Sequence, residues 1–210
     1  MTPDVEIDRS YLSLAEPWRD ESRDEMLRMT LRVDGKPDYT LVLPADEIYL
    51  DTVKAYLDID VFADAMIEDV RFKVPYIGEL LCDTDCPAVE DYNDFAEALE
   101  DIWLEDGMLL TYAAALEAEK PETLQGAYEL LHNLDNYQRI VDIYDYGQRR
   151  LQETLGLDDE AIYELDGYMD FEKYGADCME NDHVIETEFG RLRRLEPPFP
   201  EQMQGQQMFQ

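Results

Sequence analysis

Five carboxylates, Glu90, Asp94, Glu97, Asp101 and Glu105, recur at intervals of three and four residues. On a helix that spacing stacks them on one face. Asp91, Glu100 and Asp106 widen the same acidic surface. Carboxylates this close can serve acid–base catalysis or draw in a cationic partner. A pair flanking a scissile bond could run a glycosidase-like reaction. With 51 acids in 210 residues, however, close pairs arise anywhere by chance and single out no catalytic pair. The electrostatic reading has a sharper signature. Residues 74–119 hold thirteen acids and neither lysine nor arginine. Like charges four apart destabilise a helix by roughly 0.2–0.5 kcal/mol per pair. An ordinary surface relieves them with interleaved bases, and here none is supplied. Something other than stability shaped this face.

Other reactive residues form no recognisable centre. Cys82-Asp83-Thr84-Asp85-Cys86 lies within zinc spacing but lacks a second ligand pair, and Cys178 and His183 are far along the chain. A calcium loop counted from Asp83 fails because Pro87 occupies its fifth position. His132 reads as a partly buried surface histidine. There is no phosphate-binding glycine loop, no Gly-x-Ser-x-Gly elbow and no His-Glu-x-x-His. The expectation is therefore a protein without metal, cofactor or catalytic turnover.

The acidic face needs elements to hold it. Tyr92, Phe95, Leu99 and Ile102 form an apolar stripe opposite the carboxylates, so residues 90–105 read as an amphipathic helix. Helices over 108–119 and 122–134 follow. Upstream, Leu27, Met29, Leu31 and Val33 alternate with polar residues, Asp34-Gly35-Lys36 turns, and residues 39–43 return as a hairpin. Asp46 caps a helix reaching about Ile59, with Ile48, Val53, Tyr56 and Leu57 on its inner side. Val70, Phe72 and Val74 suggest a third strand. Downstream, Asn136 is placed to cap a long helix lined by Ile140, Tyr144, Gly147, Leu151 and Leu155, and Gly156 ends it. Asp158, Asp159 and Glu160 open a short helix, where the dipole favours acids. Residues 184–195 close as a hairpin. The fold class is α+β, with mixed α/β regions at both ends and a helical middle. Its parts are a mobile arm over 1–26, an α+β domain over 27–88, an acidic helical domain over 89–134, an α+β domain over 135–195 and a disordered tail over 196–210.

The formal charge is −34. Such a surface repels nucleic acid and anionic membrane, so natural partners should be basic. Three cysteines suggest no disulfide framework, and no leader or membrane-length apolar run is seen, which points to the cytoplasm. A solvated face or adaptation to high salt would produce similar acidity. So would imitation of DNA, which carries one charge per ~1.7 Å of axis, against carboxylates one helical turn, ~5.4 Å, apart.

Three stretches bear on that choice. They are Thr40-Leu41-Val42-Leu43-Pro44 before an acidic helix, Val74-Pro75-Tyr76 before another, and Tyr168-Met169-Asp170-Phe171-Glu172-Lys173-Tyr174-Gly175-Ala176-Asp177. In this order they resemble the ArdA antirestriction proteins over about residues 27–195. Ala176 stands where the family carries Arg, and the closing hairpin bears Arg191, Arg193 and Arg194. The resemblance implies an elongated chain of three small domains in a homodimer that imitates bent DNA. It implies occupancy of the DNA groove of type I restriction–modification enzymes, or of other basic DNA-binding defence proteins, without turnover. The imitating carboxylates would be those named from Glu90 to Asp106, extended by Asp158, Asp159 and Glu160. Tyr163, Tyr168, Phe171 and Tyr174 would suit the dimer interface. The alternative class is an acidic adaptor or chaperone for a basic nucleic-acid-binding protein.

Overall fold

The computed structural model describes residues 25–73, 77–78, 87–103 and 107–200. They build a mixed α/β fold with seven α-helices and two small antiparallel sheets among the described residues. The chain divides into two compact units, Met1–Leu134 and Asp135–Gln210.

In the first unit, β1 (Leu27–Arg32) and β2 (Tyr39–Leu43) form the expected hairpin, in register from Leu27↔Leu43 to Leu31↔Tyr39. Alternation puts Leu27, Met29, Leu31, Leu41 and Leu43 in the core. Gly35 supplies the positive φ of 79° that the turn requires. β3 (Met66–Phe72) adds to the other side of β1, giving the order β2-β1-β3. It begins four residues before Val70. Its pairing shifts between Arg28 and Thr30, and Asp69 sits at φ 53°, so the inside–outside alternation breaks and conceals the first half of the strand. Met26 lies between this sheet's neighbours, donating its N–H to Leu43 O at 2.8 Å and accepting from Lys73 N at 2.8 Å. Residues 25 and 26 thus belong to the folded unit, and the rest of the expected arm lies outside the described residues.

α1 (Glu47–Leu57) starts where Asp46 accepts from Tyr49 N and stops at left-handed Asp58. Only Val53 and Leu57 are buried. Ile48 and Tyr56 face solvent instead of the core; the Tyr56 ring leans on Tyr39 at the sheet, 5.5 Å between centroids. α2 (Val89–Trp103), α3 (Met108–Glu119) and α4 (Leu124–His132) follow. α3 is buried on every side from Leu109 to Leu116, and Tyr112 donates to Ala127 O at 2.9 Å. α2 packs on the sheet: Phe95 meets Phe72 edge to face at 5.9 Å, and Asn93 Oδ1 accepts from Ala45 N at 2.8 Å. The boundary expected near residue 88 therefore falls inside one compact unit.

The second unit departs more from expectation. Asn136 does not cap a helix. Residues Tyr137–Ile140 form β4, and the Asn136 amide instead exchanges two bonds with the Glu196 backbone at 2.6 and 2.8 Å. α5 (Ile143–Leu155) begins only after Asp142, whose carboxylate accepts from Asp145 N. The apolar spacing of Ile140 and Tyr144 continues unbroken across this strand-to-helix switch, so periodicity hides it. Leu155, expected inside, is exposed. Gly156 ends α5 with φ 66° as expected. α6 (Asp159–Leu165) and α7 (Phe171–Asn181) follow, then β5 (Ile185–Thr187) and β6 (Gly190–Arg194) in the order β4-β6-β5. α5 and α7 cross at two glycines. A Cβ on Gly147 would lie 2.2 Å from Phe171 O, and one on Gly175 2.2 Å from Ile143 O. Residues 196–200, expected to be disordered, fold back: Phe199 is buried, 6.4 Å from Tyr137 and 4.7 Å from the Arg194 guanidinium. Residues 201–210 lie outside the described residues. Among the described residues, no helix is long and apolar enough to cross a membrane.

Candidate functional site

α2 separates its residues by chemistry. Val89, Tyr92, Phe95, Ala96, Leu99 and Ile102 are buried, while Glu90, Asp91, Asp94, Glu97 and Asp101 are exposed. Glu100 is half-buried, and Glu105 and Asp106 lie outside the described residues. Asp91 accepts from Ala88 N at 2.8 Å, tying down the start of the helix. Glu97 accepts from Asn93 Nδ2 at 3.2 Å, and the other end of that amide holds Ala45 N. The connection between β2 and α1 thereby fixes the middle of the acidic row through one buried asparagine.

The row makes no close ionic contact: among the described residues, none of Glu90, Asp91, Asp94, Glu97 and Asp101 makes an ion pair. Lys54 feels Glu90, but it is already paired with Asp51 at 2.7 Å. That bond holds its ammonium above the ordinary lysine range, with the charges of Glu90 and Glu47 adding to the effect. Lys73 reaches the far end of α2, 4.9 Å over the Trp103 ring. A run free of bases in sequence is thus approached by one in space, which only the fold reveals. A cation at a helix C-terminus is favoured by the dipole.

The second acidic stretch is divided in its duties. Asp158 caps α6 by accepting from Ala161 N at 2.9 Å. Asp159 accepts from Gln152 Nε2 at 2.7 Å, and Glu160 is exposed. The four aromatic residues expected at an interface do not share a surface. Tyr163 and Tyr168 are 81% and 91% exposed, whereas Phe171 is buried with Leu151 and Ile162 and Tyr174 packs against that cluster. Phe171 opens α7 with its side chain turned inward, edge-on to Tyr144 at 5.4 Å, so it offers nothing to a partner.

One charged constellation was not foreseen. Arg150 on α5 grips Asp182 at the end of α7 with both Nε and Nη2, at 2.7 and 2.9 Å. Tyr146, one turn earlier, donates to the same carboxylate, and Arg193 of β6 stands 3.6 Å away. Partial burial pushes the Asp182 carboxyl up, but bonds from Arg150 and Tyr146 and the charges of Arg193 and Arg150 outweigh it and hold the group below the usual carboxylate range. Only the Tyr146–Arg150 spacing was visible in the sequence; nothing local points to Asp182.

His132 is exposed beside the Tyr128 ring at 4.4 Å, and His183 Nδ1 meets Phe199 O at 2.8 Å. Among the described residues, no group of three or more His, Cys, Asp or Glu is placed to hold a metal ion; Cys82 and Cys86 lie outside them. No protein-family model matches the chain, and no curated protein or solved structure matches it.

Proposed function

We propose that this protein is a cytoplasmic DNA mimic of the ArdA antirestriction type. It occupies the DNA-binding groove of a type I restriction–modification enzyme, or of another basic DNA-binding defence protein, and inhibits by competition without turnover or cofactor. The observation that carries this reading is the exposed row on α2, whose acids make no ion pair among the described residues. From Glu90 to Asp101 the helix rises about 16 Å at ~1.5 Å per residue. One DNA strand presents about five phosphates over that length, at ~3.4 Å spacing. α2 presents five exposed carboxylates there, namely Glu90, Asp91, Asp94, Glu97 and Asp101. Lysine and arginine side chains that grip phosphates would find comparable charge at comparable spacing. The motif resemblance adds the target class and homodimeric assembly. Asp158, Asp159 and Glu160 would extend the imitation, with Asp158 already committed to its helix cap.

A mobility-shift competition tests the proposal. The protein should displace duplex DNA from a purified type I enzyme, and displacement should weaken as salt rises. An enzyme that keeps its DNA at saturating protein and low salt would defeat it. Simultaneous retention of DNA and protein would turn the reading toward an acidic adaptor.

A further inference from the structure

We propose that Tyr163 and Tyr168 form a docking surface for an arginine-bearing segment of a basic partner. The inference rests on the reading above that the partner is a basic DNA-binding protein, and it names the side chain by which that partner is held in the second unit.

Both rings lie almost wholly in solvent, at 81% and 91% exposure, although this unit has a core that takes Phe171 to 1%. They flank one short turn. Tyr163 O accepts from Asp166 N at 3.4 Å, and Tyr168 N donates to Leu165 O at 2.9 Å. Ile162 and Leu165, from the same helix as Tyr163, supply its core contacts instead: Ile162 is buried with Leu151 and Phe171, and Leu165 packs against that cluster. Two exposed tyrosines flanking one turn leave an aromatic face unpartnered among the described residues, and large exposed apolar surface is the informative kind.

Charge decides the occupant. Glu160 lies one helical turn before Tyr163 on α6, Glu164 follows it directly in the chain, and both acids are exposed. No base occurs between Leu151 and Glu172. A second copy docking through this face would set Glu160 and Glu164 against their own equivalents, a like-charge juxtaposition that disfavours association. An apolar partner would strip those carboxylates of water with nothing in return. An arginine satisfies both components. Its planar, weakly hydrated guanidinium stacks on an aromatic face and forks onto a carboxylate, whereas a lysine ammonium is a compact, strongly hydrated charge. Acidity alone would attract either cation; the two rings create the preference for arginine.

Calorimetric titration of the full chain with nona-arginine and nona-lysine peptides at ~0.15 M salt tests this. Changing both tyrosines to leucine should weaken nona-arginine binding about five- to tenfold, leaving nona-lysine nearly unaffected. Changing both to phenylalanine keeps the rings and should retain the arginine preference. Circular dichroism verifies the fold of each variant. Equal binding of nona-arginine by the wild type and a folded leucine variant overturns the inference. So does a wild-type dimer that dissociates in the leucine variant, which would show the rings covering a second copy. A wild type that inhibits a type I enzyme while its arginine preference survives the leucine change loses this inference alone. A wild type that fails to inhibit, yet shows tyrosine-dependent arginine preference, loses the DNA-mimic reading and keeps this one.

Discussion

Asp101 and Asp182 are chemically identical and live in opposite circumstances. Asp101 stands on the outer face of α2 with water in front of it and acids at its sides. Asp182 lies under two arginines and a tyrosine where α5, α7 and β6 meet. The fold places its bases unevenly: in the second unit they close a structural joint, while Glu90, Asp91, Asp94, Glu97 and Asp101 on α2 make no ion pair among the described residues. No arginine clasps these five as Arg150 clasps Asp182, so their density costs the folded state a little. Charge tied into a structural joint and charge left exposed are thus assigned to different elements.

That contrast can be broken at its geometric root. Gly147→Ala drives a Cβ to 2.2 Å from backbone Phe171 O, so α5 and α7 must separate and carry Arg150 away from Asp182. We expect a loss of about 3 kcal/mol, the upper end of overpacking penalties, read as an early denaturant transition. Inhibition measured on still-folded protein should persist if α2 alone supplies the imitating charge.

Arg150→Met leaves Asp182 with Tyr146 and the more distant Arg193. Removing one member of a fully buried pair costs about 3–5 kcal/mol; partial solvent access to both side chains reduces this to about 2 kcal/mol. The pH dependence carries its own sign. A carboxyl held low in the folded state binds fewer protons there than in the unfolded chain, so stability rises with pH through its titration. The contribution of Asp182 is complete above the unfolded value of about 4 and lost as pH falls through the lower folded one. Melting against pH should therefore show a shallower acid limb in Asp182→Asn than in wild type. An unchanged limb would remove the carboxylate from the account.

Amides at Glu90, Asp94, Glu97 and Asp101 should act in the opposite direction on stability. Three like-charge neighbours at i,i+3 and i,i+4 are relieved, worth about 1 kcal/mol together, offset in part by the lost dipole interaction at Glu90. The melting temperature should hold or rise while inhibition at low salt falls by about tenfold or more. Wild type should already be fully folded in ~0.1 M salt, where the Debye length is ~10 Å. A wild type unfolded there would favour adaptation to high salt. The smallest effect belongs to Glu97→Gln alone. The amide oxygen still accepts from Asn93, so stability should move by less than ~0.5 kcal/mol and inhibition by less than about threefold. A large loss would place a specific contact at Glu97 in addition to a distributed field.

Features written locally were legible in the sequence. The first hairpin, α3, the Asp46 cap, the acids opening α6, Gly156 and the buried and acidic sides of α2 follow from period, turn chemistry, capping or the helix dipole. Features made by distant partners were not. β4 is four residues long and takes its identity from β6, fifty residues away in pairing partners such as Ile140 and Arg191. Phe171 looks like any exposed-or-buried aromatic until α5 and α6 close over it. Asp182 is one acid among many until Arg150 finds it. The candidate surface itself was legible because an amphipathic helix declares both of its sides; its anchoring through Asn93 and its approach by Lys73 were not, being contacts across the fold.

The burial of α3 from Leu109 to Leu116 has one more effect. Tyr112 and the alanines at 113–115 are wholly enclosed, and the Tyr112 ring packs 6.5 Å from Phe95 of α2. The helix spacing of the α2 acids is therefore set when the chain folds, so a cation docking there would find their backbone positions already ordered, and the ordering left to lose at the encounter would be the rotamer freedom of the exposed carboxylate side chains.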